Sequence, residues 1–425
     1  MKLSTRLSWY RTRPSVPPAE AARRAQLRIG IPKVLSVWGT HQFWIGLLTA
    51  LGVAPRNIVF SSDTSEQQAR RWGLGRGTVE SCHPVKCASG HYGELLFGQR
   101  QKIDVLLHPM ISSLPSFLGP HVKAALACPR DVAAAECVRA GFQRERDLFA
   151  EHGVAYLHPL VPLGEPDLVA QPLYEDLRSV LALQRTELET AVAAGYRALD
   201  DFAARLRGAA REVLVECARN MRPCVMVLAR PYHMDPGLGH GIETELQAHG
   251  YPVLWAQHLP LDPALLDWLF GDEIRRGEIR GPFDIADVWL SSYSANTNEI
   301  VWGAKVAARL PWISCVLRLS SYECGLDQPT LTPVQRIVEA SGTLYFRFGD
   351  LDATKPAGAL KLRTETILHY LERQSQGIIR RKLASLAPRH PFEGAAAGHD
   401  SGEVASRRRH GNGRPAWLGA QARRE

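Results

Sequence analysis

The chain has no apolar run approaching the roughly 20 residues that a membrane-spanning helix needs. Its opening stretch, MKLSTRLSWYRTRPSVPP, lacks the apolar segment of a secretory signal, so a cytoplasmic protein without a membrane partner is expected. There is no GxxxxGK[ST] loop, which excludes a P-loop nucleotidase. There is no GxSxG elbow and no HExxH pair, which removes the α/β-hydrolase nucleophile and the zincin helix. Cysteine is sparse, eight in 425 residues, so the chain is no disulfide scaffold. These thiols are expected to be metal ligands or small core residues.

Basic residues are in excess, with a net charge of +8. The excess sits at the ends. Residues 1–27 carry six Lys/Arg against one acid and residues 377–425 carry ten against four, which leaves the stretch between them mildly acidic. No nucleic-acid partner is therefore expected, and Arg407–Arg409 read as part of a solvated tail. A hydrophobic share of 45% with 22% charged residues fits a globular chain long enough for two domains.

Hydrophobic patterning alternates between strand and helix. RIGIPKVL, NIVFSS and KIDVLLHPM read as strands. HQFWIGLLTALG, SEQQARRWG (capped by Asp63 or Thr64), the stretch from Pro84 to about Arg100 and residues 131–152 read as helices. From about Leu173 to Cys217 the pattern is helical, interrupted at Gly195 and Gly208. CVMVLARPY, YPVLWA, PWISCVLRLSS and TLYFRF give further strands. Such alternation implies parallel sheets covered on both faces. The expected fold is α/β, with two doubly wound parallel-sheet domains joined by a long helical region and disordered tails. The expected organisation is a basic flexible N-terminus over 1–27, an N-terminal α/β domain over 28–172, a helical bridge over 173–222, a C-terminal α/β domain over 223–373 and a basic tail over 374–425.

Three cysteines stand at starts of helices: Cys82 in ESCHPVKC, Cys128 in LACPRD and Cys324 in YECGLD, with Pro84, Pro129 and Gly325 as turn-forming neighbours. Free N–H groups and the macrodipole at helix N-termini favour thiolates. Three thiolates gathered by a fold can hold an iron–sulfur cluster. Cys217, Cys224 and Cys315 lie in apolar runs and read as core, as does Cys137. ESCHPVKCASGH offers a second possibility, since Cys82, His83, Cys87 and His91 recur at helical spacing with a donor mixture suited to zinc.

Two other stretches invite a ligand and carry a plainer reading beside it. ARPYHMDPGLGHGIETEL places Gly237, Gly239 and Gly241 before a helix, as a phosphate cradle does, but the spacing is not that of a dinucleotide loop and a tight turn explains it. Trp38, His41 and Trp44 in WGTHQFW form either a ligand wall or a helix start packed on the core.

Taken in order, RIGIPKVLSVWGTHQFWIGLLTALG, ESCHPVKCASGH, ACPRD, LARPYHMDPGLGHGI and SSYECGLD resemble the acyl-CoA dehydratase activase-related proteins, also called CoA-substrate-specific enzyme activase-like. These are similar to the cluster-carrying subunits of 2-hydroxyacyl-CoA dehydratases and benzoyl-CoA reductases. The resemblance spans roughly residues 28–373. It implies a [4Fe–4S] cluster held by Cys82, Cys128 and Cys324, and one-electron transfer to an acyl-CoA thioester. The implied partners are an ATP-hydrolysing activator protein and a homologous subunit. Catalysis and pure electron relay both fit. The chain carries no activator ATPase segment of its own. A cluster-free interaction module of the same fold, or the zinc site, stands as the alternative.

Overall fold

Short apolar runs pair side by side in parallel, and the central ones, Ile29–Ile31, Val105–Leu107, Cys224–Leu228 and Ile313–Ser321, are buried along their whole length, as strands covered on both faces must be. The computed structural model describes residues 16–77, 81–321, 323–351, 357–387 and 390–392. Its first half supplies β1 (Ile29–Ile31), β2 (Ile58–Phe60), β3 (Val105–Leu107), β4 (Met110–Ser113), β5 (Ala155–Leu157) and β6 (Leu160–Pro162). The second supplies β7 (Cys224–Leu228), β8 (Val253–Trp255), β9 (Ile313–Ser321) and β10 (Leu344–Leu351). One parallel sheet has the order β2-β1-β3-β5, the other β8-β7-β9-β10. Numbered within its own half, each reads 2-1-3-4. The two halves therefore share a topology, although their sequences show no repeat. β4 and β6 continue β3 and β5 as a separate pair after Pro109 and Pro159, which have no N–H for the ladder.

In sheets of this order, ligands collect beyond the carboxyl ends of the strands, at the point where the winding reverses. That point lies between β1 and β3 in the first sheet and between β7 and β9 in the second.

The helical bridge consists of Ala170–Leu181 and a 36-residue helix, Arg185–Asn220. The expected interruptions do not occur, and the long helix passes through both Gly195 and Gly208. Gly195 is there for packing. A Cβ at that position would lie 2.8 Å from the Phe43 ring of helix Val37–Ala50, and one at Gly46 would lie 2.7 Å from Ala198. The two helices thus approach backbone to backbone.

The flexible N-terminus expected over 1–27 is shorter than its sequence suggests. Pro18–Gln26 is helical, and Arg24 is buried because its guanidinium pairs with Glu187 and donates to the carbonyls of Leu51 and Ala182. At the other end a helix runs over Ala357–Ala384, past Gln374, with Ile378 and Ile379 in the core. Lys382 is buried with them and donates to the carbonyls of Ala307 and Ile313, both at 2.6 Å. Phe392 packs on Trp312 at 5.5 Å. Arg407–Arg409 lie outside the described residues. Among the described residues, no helix is long and apolar enough to cross a membrane.

Candidate functional site between the strand ends

Cys82 caps the helix His83–Gly93 and Cys128 caps the helix Pro129–Gln143, each with extended backbone and a proline in the first turn. Cys324 precedes the helix Gln328–Ala340 and accepts main-chain bonds at its carbonyl from Asp327 and Gln328. Cys128 and Cys324 occupy equivalent places, at the start of the helix that follows the third strand of each half. Cys82 has no such counterpart, since it opens the helix that returns from β2.

The three segments are tied together. Glu323 adopts a left-handed conformation (φ 64°). Its carbonyl accepts from Arg130 at 3.1 Å, and its carboxylate faces Lys86 at 3.9 Å. The helix behind Cys82 and the helix behind Cys128 therefore both hold the residue before Cys324. The thiols feel one another: charge on Cys128 opposes ionisation of Cys82, and charge on Cys82 opposes that of Cys324. Burial pushes both of those thiols up, while Arg130 pulls Cys82 down and Arg230 pulls Cys324 down.

Arg230 is the central cation. It follows β7, is 2% exposed, and pairs with Asp327 at 3.1 Å. It also donates to Asn296 at 3.4 Å and Thr297 at 3.2 Å. Arg318 of β9, fully buried, reaches the same Asp327 oxygen at 3.2 Å. Two guanidinium groups thus share one carboxylate, leaving one positive charge in excess beside Cys324 and Cys128, whose thiolates Arg230 would face. On the first sheet the matching carboxylate is Asp131, which accepts from the Ser36 hydroxyl and is raised to about 6 by burial. Asp131 lies three residues after Cys128, and Asp327 three after Cys324. Each reaches back to the loop that follows the first strand of its own half.

The zinc arrangement is not assembled. His91 commits both ring nitrogens, one to Ser61 at 2.8 Å and the other to Thr64 at 2.9 Å. Thr64 then donates to Asp235 at 2.6 Å, joining the two halves. Of the four residues, Cys87 and His83 meet at 3.6 Å, and burial pushes the Cys87 thiol up to about 12. Among the described residues, no group of three or more His, Cys, Asp or Glu side chains is placed to hold a metal ion.

The glycine-rich loop is a close contact between the halves. A Cβ at Gly237 would lie 1.9 Å from the Thr64 carbonyl, which leaves no room for a phosphate. WGTHQFW divides. Trp44 is core, whereas Trp38 and His41 line a cavity of about 500 Å³ between the halves. This cavity is bounded by the long helix, the turn after β8 and the first turn of Ala295–Arg309. Tyr232 and Asn296 line it. Tyr232 is within electrostatic reach of Cys324 and Cys82, and Asn296 accepts from Arg230, so two lining residues connect the cavity to the cysteine site. Cys217, Cys224 and Cys315 are fully buried as expected, while Cys137 is only half-buried.

Sequence reading missed Arg318, Asp327 and the cavity wall at Arg207 and Glu299. A signal for Arg318 was present: an arginine within the buried run ISCVLRLSS needs a partner. So was the repeated Cys-x-x-Asp of CPRD and CGLD.

A family model described as the CoA enzyme activase uncharacterised domain matches residues 28–259, a span that takes in Cys82, Cys128 and Arg230. No curated protein matches the chain.

Proposed function

Because the chain belongs to the CoA enzyme activase uncharacterised-domain family, we propose that it is a [4Fe–4S] protein of the 2-hydroxyacyl-CoA dehydratase and benzoyl-CoA reductase type. It acts on an acyl-CoA thioester by single-electron transfer and depends on an ATP-hydrolysing activator. Cys82, Cys128 and Cys324 are its ligands. The observation that carries this reading is the clasp at Glu323, through which two cysteine-bearing helices hold the residue before the third cysteine.

The donor set fits the group. Thiolate sulfur is what iron–sulfur clusters take, and a cubane spreads its ligands around itself rather than onto one point. Buried thiols resist ionisation, and the excess cation shared by Arg230 and Arg318 offsets that cost. When bound, the cluster supplies electrons one at a time, at a potential set by charge, hydrogen bonds and burial. The protein's share is positional. Arg230 holds a positive charge beside two ligands. Tyr232 and Asn296 line the cavity and link it to the ligand side, Tyr232 through the charges of Cys324 and Cys82 and Asn296 through Arg230. The apolar walls at Trp38, Phe117 and Phe202 exclude water from the acyl group.

Purification without oxygen, followed by a visible spectrum and assays for iron, sulfide and zinc, tests the reading. The expected result is a coloured protein containing iron and sulfide, with both lost in Cys324→Ala. A colourless protein that takes up neither after reconstitution overturns it and leaves the cluster-free module. Zinc retained in Cys324→Ala would favour the Cys82–His91 helix instead.

A further inference from the structure

The cavity holds one buried carboxyl group that the reading above does not use. Glu299 lies in the second turn of helix Ala295–Arg309, is 7% exposed and lines the cavity. Its Oε1 accepts from Ser116 at 2.8 Å, and the Asn296 side chain also donates to it. Through Asn296 it is coupled to Arg230, and through Arg230 to the cysteine site. The cavity is otherwise largely apolar. Three of its lining residues carry buried polar atoms without a partner: Trp38 Nε1, Arg207 Nε and Gln257 Oε1. Those three atoms are shielded from the cavity itself, so the polar group it presents from the Ala295–Arg309 helix side is the Glu299 carboxyl with its Ser116 and Asn296 partners.

We propose that Glu299, in its protonated form, donates a hydrogen bond to the carbonyl oxygen of the acyl thioester taken into this cavity. The inference rests on the reading of an acyl thioester as substrate. That oxygen gathers negative charge when the thioester accepts an electron. A carboxylate beside it would repel that charge, whereas a buried carboxylic acid stabilises it as an oxyanion-hole donor does.

The surroundings make the protonated form accessible. Burial raises Glu299 to about 7 against the pull of Ser116, Asn296, Arg207 and Arg230. Arg207 faces it from the long helix and Arg230 from the loop after β7. Of the other titratable groups lining the cavity, Asp200 on the long helix and Glu243 in the second half are raised by burial. His258, lowered to about 4, and His41 are kept neutral by burial.

The test uses the full chain purified without oxygen and an N-acetylcysteamine thioester of a short 2-hydroxy acid, with binding followed by calorimetry. If only the protonated form binds, wild-type affinity is about tenfold higher at pH 6 than at pH 8. Glu299→Gln keeps an N–H donor, so it should bind near the wild-type pH 6 affinity at both pH values. Glu299→Ala should bind weakly at both. If the alanine variant fails to fold, the glutamine variant carries the comparison alone. Absence of wild-type binding, pH-independent wild-type binding, or wild-type pH dependence surviving in Glu299→Gln overturns the proposal. Binding needs no iron, so a cluster-free protein that shows this pattern would sink the cluster reading and leave Glu299 standing.

Discussion

The Arg230 guanidinium meets the Asp327 carboxylate at 3.1 Å, with neither side chain more than 3% exposed, and Arg318 reaches the same oxygen at 3.2 Å. Removing the carboxylate strands two buried cations. Asp327→Asn is expected to cost about 3–5 kcal/mol, measured by urea unfolding at pH 7. Against the upward push of burial, Arg318 and Arg230 hold the Asp327 carboxyl well below the ordinary carboxylate range. The stabilisation is therefore fully present above the unfolded value, near 3.9, and fades as pH falls through the depressed folded one. The gap between wild type and variant should stay constant from pH 7 down to about 4 and close only below that.

Two glycines of one helix should respond in opposite directions. Both lie inside Arg185–Asn220, where alanine is the better helix former by about 1 kcal/mol. A Cβ at Gly208 meets nothing within 4 Å, so Gly208→Ala should stabilise by about 0.5–1 kcal/mol. A Cβ at Gly195 would press on Phe43 side chain and backbone at 2.8–2.9 Å. Gly195→Ala should destabilise by about 1–3 kcal/mol through overpacking. Urea midpoints for the two single variants decide it, and a stabilised Gly195→Ala would contradict the packing described here.

These glycines also show where the sequence was legible and where it was not. Alternating apolar runs were enough for the parallel sheets, because strands buried on both faces leave a local signature. Gly195 read as a helix break because its cost is local, while the contact with Phe43 that outweighs it comes from a helix some 150 residues away. Arg24 and Lys382 were assigned to the basic ends for a similar reason, since their acceptors are distant carbonyls that composition cannot reveal. SEQQARRWG was expected to be capped by Asp63 or Thr64. The cap is Ser65, which accepts from the Gln68 amide, because Thr64 is drawn to His91 in its own half and to Asp235 in the other. The cysteines at helix starts were visible one at a time, but the sharing of Asp327 by Arg230 and Arg318 beside them was not.

Acid should unfold the protein through its buried histidines. His91 is lowered to about 3 by burial, and its two ring nitrogens are already engaged with Ser61 and Thr64. Between the ordinary histidine range and about pH 3 the unfolded chain binds a proton that the folded one refuses, so stability falls as pH falls. His91 alone contributes up to about 1.4 kcal/mol per pH unit there. His91→Gln should be less stable than wild type at pH 7, yet its stability should fall less steeply from pH 6 to pH 4. Parallel slopes in urea titrations across that range would show that His91 is already charged in the fold.

Glu323 sits at φ 64°, a conformation that costs a side-chain-bearing residue about 1 kcal/mol. Its ion pair with Lys86 spans 3.9 Å between partners 37–43% exposed, and such pairs contribute little. On stability alone glycine is the better residue, so Glu323→Gly should raise unfolding stability by up to about 1 kcal/mol. The bond from Arg130 to the Glu323 carbonyl survives that change, but the link to the Cys82 helix does not. Strain kept beside a ligand residue makes sense if it fixes where Cys324 points. On the cluster reading, the more stable Glu323→Gly should retain less iron per chain than wild type after purification without oxygen. Equal iron in the two proteins would show that the clasp serves the fold and not the ligands.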